Sequence, residues 1–159
     1  MPLTWLSWAP LAAASLHMVE EFVFPGGFAA WERRYRSDIG RSLTNRYLVI
    51  VNVLFLILCY DAAAMRGRPA GVALWLTVAA LQAANGIWHL LAVLKTRAYS
   101  PGVVTGMLVY VPLAAFGTMH YLRAGEASVP TALAALAIGG PYQFWLNALH
   151  RWRTRRART

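Results

Sequence analysis

One cysteine and six acidic side chains in 159 residues set the first limits on this chain. With Cys59 alone, no intrachain disulfide and no cysteine-rich metal site is possible. The carboxylates are Glu20, Glu21, Glu32, Asp38, Asp61 and Glu126. Di-iron bundles need two Glu-x-x-His helices plus further glutamates, so a di-iron centre is disfavoured against a one-metal site. Charged residues make up only 13% of the chain and hydrophobic ones 58%, far from the balance of a soluble domain. There is no polar linker and no low-complexity run, so no separate soluble domain is expected.

Basic residues are plentiful, and their placement matters. Twelve of the fifteen fall in the first loop (Arg33, Arg34, Arg36, Arg41, Arg46), the third loop (Lys95, Arg97) and the tail (Arg151, Arg153, Arg155, Arg156, Arg158). The rest are Arg66, Arg68 and Arg123. No nucleic-acid module surrounds them, so the net charge of +9 is read as membrane orientation and attraction to anionic lipid. A nucleic-acid partner is not expected.

Five apolar stretches are long enough to cross ~30 Å of hydrocarbon. They run over Leu3–Phe24, Tyr47–Met65, Gly71–Thr96, Gly102–Leu122 and Pro130–His150. The expected fold is an all-α polytopic bundle with five transmembrane helices, N-terminus out and C-terminus in. Residues 1–150 form the bundle and 151–159 a basic cytoplasmic tail. A bacterial inner (plasma) membrane is the expected location. The first segment lacks a basic region before its apolar run and reads as a retained helix rather than a signal peptide. Gly139-Gly140-Pro141 is expected to kink the fifth helix.

Polar side chains then mark a depth. His17, Glu20 and Glu21 lie near the inner end of helix one, both glutamates within about 60° of His17 around the axis. Charges inside a span cost at least ~2.5 kcal/mol each at the bilayer centre, so they need partners and mark function. Gln82, Asn85 and His89 share one face of helix three, and Gln143, Asn147 and His150 one face of helix five. Asn52 lies at the same level. Among carboxylates, only Glu20 and Glu21 are expected there. His120 and Asp61 fall near the outer side, and His150 reads as interfacial beside Arg151. The loop Pro25–Arg46 mixes aromatics with arginines and reads equally as an interfacial lid helix or a solvated loop.

These residues resemble the HXXEE family of small integral membrane proteins. The match rests on His17-x-x-Glu20-Glu21, Asn85-x-x-x-His89 and Tyr99-Ser100-Pro101-Gly102, in that order. The resemblance implies a shared site but names no reaction.

For the chemistry, the leading expectation is one divalent metal, zinc or iron, with His17, His89 and Glu20 or Glu21 as ligands. The second glutamate would serve as base, and Asn85 and Tyr99 would position substrate or ligand. The substrate would be a lipid or other hydrophobic small molecule reached through the bilayer. The alternative enzyme is a metal-free isomerase or cyclase in which the Glu20/Glu21 pair keeps one proton. A proton- or ion-coupled transporter and a non-catalytic membrane subunit also stay open. A transporter needs polar side chains through the whole thickness, and Val53–Cys59 and Val72–Leu81 are nearly bare.

Overall fold

The computed structural model describes residues 3–39 and 42–156. Arg41 and the end of the basic tail, including Arg158, lie outside the described residues. The described chain is helical without strands: α1 (Thr4–Phe22), α2 (Phe28–Tyr35), α3 (Asn45–Ala64), α4 (Pro69–Thr96), α5 (Val103–Arg123), α6 (Val129–Gly139) and α7 (Tyr142–Arg156). Local chemistry sets several of these starts. The Thr44 hydroxyl accepts from Tyr47 N (3.2 Å) ahead of α3, and Ser128 accepts from Thr131 N (3.2 Å) ahead of α6. Proline in the first turn opens α4 and α6.

Among the described residues three helices, not five, are long and apolar enough to cross a membrane: α3, α4 and α5. The expectation of five fails for two physical reasons. Helix α1 has 19 residues, but its serines, Pro10, His17, Glu20 and Glu21 dilute its hydropathy. The fifth stretch is broken at Gly140-Pro141 into pieces of 11 and 15 residues, because proline has no N–H to continue the ladder. The apolar surface of the helices is widely exposed, as at Val49, Leu54, Leu108 and Ile138.

Helix α4 is the axis of the fold and touches α1, α3, α5, α6 and α7. Its buried face carries Val72, Trp75, Leu76 and Ala79, which meet Leu6, Ala62, Tyr121 and Ala135 from the surrounding helices. Pro10 shapes the α1–α4 contact. It supplies no N–H to the Leu6 carbonyl one turn back, and the Trp75 indole N–H donates there instead (2.8 Å). Gln82 donates to the Pro10 carbonyl (2.7 Å). Gln82 therefore holds the bundle together rather than joining the polar residues one turn further on.

Glycine sets the approach of α5 to α4. A Cβ on Gly86 would stand 2.5 Å from the Gly106 carbonyl oxygen, and one on Gly106 would stand 2.6 Å from the Gly86 Cα. Only hydrogen fits at either position. Gly86→Val is expected to destabilise the protein by about 1–3 kcal/mol through overpacking, read as a lowered thermal midpoint in detergent. An unchanged midpoint would show that α4 and α5 do not cross here.

Candidate functional site

The last turn of α1 delivers His17, Glu20 and Glu21, and all three are buried. The two neighbouring glutamates then part. The Glu20 carboxylate reaches the start of α5, where Oε1 accepts from Val104 N (3.0 Å) and Oε2 from Thr105 N (2.7 Å). The Thr105 hydroxyl donates to the same Oε2, and the Tyr99 hydroxyl donates to Oε1 (2.6 Å). Free N–H groups at a helix start favour an anion, so Glu20 is satisfied as a carboxylate by four donors.

Glu21 turns to the histidines. Its Oε1 lies 3.4 Å from His17 Nε2 and 3.2 Å from His89 Nε2. One ligand atom from each of His17, Glu21 and His89 falls within 4.8 Å of the others, so this group can hold a metal ion. The three residues are 2%, 5% and 1% exposed, so water hardly competes for their polar atoms.

Hydrogen-bond logic fixes one tautomer. The Thr105 hydroxyl has a single proton, and it goes to Glu20. Its 2.8 Å contact with His17 Nδ1 is therefore one in which Nδ1–H donates and Thr105 accepts. Neutral His17 then presents the Nε2 lone pair, which faces the Asn85 amide nitrogen (3.3 Å) and Glu21. A lone pair opposite a carboxylate oxygen needs a cation or a proton between them. At His89, Nδ1 pairs with the fully buried Ser100 hydroxyl (2.9 Å), leaving Nε2 toward Glu21.

The loop before α5 closes over both rings. A Cβ on Gly102 (φ +102°) would stand 2.8 Å from His17 Cε1 and 2.9 Å from His89 Nε2. Further along α5, a π-turn at Gly106–Tyr110 seats Tyr110 against His17, with ring centroids 4.5 Å apart. Helix α2 covers the other side, with Phe28 5.7 Å and Trp31 6.4 Å from the His89 ring. The first loop is thus a lid helix at this point. It is anchored where Arg36 donates to Asn147 Oδ1 (2.9 Å) and lies over Trp88.

A cavity of about 580 Å³ opens from the Glu21–His89 edge between α2, α3, α4 and α7. Asn52, Asn85, Gln143, Asn147 and His150 all line it. His150 is buried rather than interfacial: its Nδ1 pairs with the Ser42 hydroxyl (2.7 Å) and its ring stands on Tyr47. Asp61 lines the same cavity at the far end of α3, while His120 lines a separate one near Trp75 and Tyr121.

Four contributors lie outside the sequence assignment. Ser100 and Gly102 sit inside a quoted motif, but nothing in that motif showed which ring each would meet. Thr105 is an isolated hydroxyl in an apolar helix, a weak signal that only the Glu20 contact makes legible. Glu32 had been set apart with the loop carboxylates. It is buried at the cavity wall beside Glu21, and its Oε2 has no partner among the described residues. Helical spacing within α1 could not reveal a carboxylate brought in by α2.

A family model described as "Protein of unknown function with HXXEE motif" matches residues 8–116. That span holds all three motifs and every residue of the His–Glu–His group. No curated protein and no solved structure matches the chain.

Burial lifts the Glu32 carboxyl from the ordinary 4.5 to about 7, opposed by Arg36 and assisted by the charges of Glu21 and Asp38. An acid whose pKa rises on folding stabilises the fold fully below the unfolded value, and that contribution is lost as pH climbs through about 7. Glu32→Gln removes the ionisation. Relative to wild type, its thermal stability in detergent is expected to rise between pH 4.5 and 7 and then level off, a gain of about 3 kcal/mol at most. A constant difference across that window would place Glu32 in water.

Proposed function

The chain belongs to the HXXEE family, and from that premise we propose that it is an integral membrane enzyme acting on a lipid or other hydrophobic small molecule, with one divalent metal ion on His17, Glu21 and His89. The arginine-rich first and third loops face the cytoplasm of a bacterial inner membrane, as the excess of basic residues there favours. One observation carries the metal reading: two imidazoles converge on a single carboxylate oxygen while their far nitrogens are held by hydroxyls. Hydrogen bonds to the far nitrogen orient metal-ligating histidines. A tetrahedral ion with bonds of about 2.0–2.2 Å would separate its ligand atoms by roughly 3.3–3.6 Å; the two His–Glu separations of 3.4 and 3.2 Å lie close to that, and all three ligand atoms fall within 4.8 Å of one another.

Two histidines and one carboxylate suit zinc or non-haem iron and leave a position open. When bound, such an ion supplies Lewis acidity at that position. The protein's side chains do the rest. Thr105 and Ser100 set the two imidazole orientations, and Asn85 holds its amide against the His17 edge. Glu20 and Tyr99 serve as frame rather than as ligand and base, since their polar atoms are spent on each other and on α5. That arrangement weakens the metal-free reading in which Glu20 and Glu21 share a proton. Transport gains little support, because the cavity that leaves the triad is walled along its length by the apolar side chains of Leu54, Phe55, Leu58 and Leu81.

Elemental analysis of detergent-purified protein tests the proposal. Wild type is expected to hold about one zinc or iron per chain, and His17→Ala, His89→Ala and Glu21→Gln to lose most of it. Glu20→Gln removes no ligand but loosens the Thr105 contact that orients His17, so it should lower the thermal midpoint and weaken metal retention less than the three ligand variants do. Metal-free wild type after reconstitution with zinc and with iron(II) would overturn the metal reading and leave a proton between His17 and Glu21.

A further inference from the structure

Resting on the reading above, we propose that the cavity beside the triad binds one single-chain amphiphile with an uncharged oxygen-bearing head, and that Glu32 hydrogen-bonds that head. The shape comes first. The cavity follows α3 from Tyr47 to Asp61, about 21 Å at the helical rise of 1.5 Å per residue. Its volume of about 580 Å³ takes one long hydrocarbon chain and is too small for both chains of a phospholipid. Leu54, Phe55, Leu58 and Leu81 give its length an apolar wall.

The polar end selects the head. Glu21 and Glu32 bring two carboxyl groups to it, together with His89 and Asn85. Arg36, the cation the lid turns inward, is already engaged by Asn147 (2.9 Å) and Asp38 (3.5 Å). An anionic head would meet carboxyl groups, and the described residues that line the cavity include no arginine or lysine. Glu32 in turn has no cation on its buried Oε2. Arg36 acts on Glu32 only through its field and makes no bond to Oε2, and a carboxyl buried with that oxygen unpaired can hold a proton there and donate it. An alcohol, aldehyde or epoxide oxygen accepts that bond and sits next to the Glu21–His89 edge.

Native mass spectrometry of the full-length protein released from detergent tests this with hexadecanol, palmitate, hexadecylamine and dioleoyl phosphatidylcholine. One hexadecanol per chain is expected, with each of the others bound at least tenfold more weakly. Glu32→Ala should weaken hexadecanol about tenfold, the loss of one buried hydrogen bond, and Glu32→Gln, whose amide still donates, should restore it. Val51→Trp and Leu146→Trp fill the cavity from opposite walls and should abolish binding while helicity and the thermal transition persist. Palmitate or the amine binding as tightly as hexadecanol would overturn the proposal. So would hexadecanol binding that survives both tryptophans. Metal content measured on the same samples separates the two readings: metal retained without hexadecanol sinks this one alone, and hexadecanol bound without metal sinks the metal reading alone.

Discussion

The Glu20 carboxylate at the start of α5 is the contact on which the rest of the site depends. It joins the C-terminal end of α1 to a helix more than eighty residues later in the chain, through two backbone N–H groups and two hydroxyls. It neutralises the partial positive charge of that helix start. It also consumes the Thr105 proton, which orients His17, and it holds the loop whose Gly102 roofs both imidazoles. A carboxylate in that role is structural, and through Thr105 it sets the tautomer in which His17 faces Glu21. The pair of glutamates in the motif thus divides its labour: the first builds the wall, and the second stands inside it.

Much of this was legible in the sequence and some of it was not. The i, i+3, i+4 spacing of His17, Glu20 and Glu21 places them near one face, and Asn85 with His89 does the same on α4. Their burial follows from the cost of leaving such groups in hydrocarbon. What spacing cannot show is direction. Residues 20 and 21 differ by about 100° around the helix, enough for one to face α5 and the other α4. No local pattern says which helix lies on which side. Glu32 was hidden for a related reason: it belongs to a segment that reads equally as a lid helix or a solvated loop, and only the contacts of Phe28 and Trp31 with His89 decide between them.

The span count shows a similar limit. Hydropathy counts helices by what they would cost in lipid, and polar residues lower that count whether or not neighbours meet their polar atoms. Helix α1 turns its serine, proline carbonyl, histidine and glutamates toward partners in α4 and α5. Helix α3, by contrast, is mostly exposed hydrocarbon. Composition separates the two cleanly, and the separation follows function. The helix that supplies His17 and Glu21 to the His–Glu–His group is the one whose apolar character has been diluted.

The same dilution argues for a lid. Glu21 and His89 line a cavity, so the polar edge would lie open to water at the headgroup level if nothing covered it. Water there would compete for the Nε2 lone pairs and screen the carboxylate. Helix α2 removes that competition with two aromatic rings against His89, and Arg36 fastens it to α7 and to the face of Trp88. The lid also brings in Glu32, a carboxyl that burial keeps close to neutrality. Exclusion of water and delivery of an acid are therefore one structural act, performed by eight residues between two glycine-rich and loop segments. The cavity reaches the Glu21–His89 edge along the apolar wall of α3, so α2 can cover that edge without closing the cavity's length.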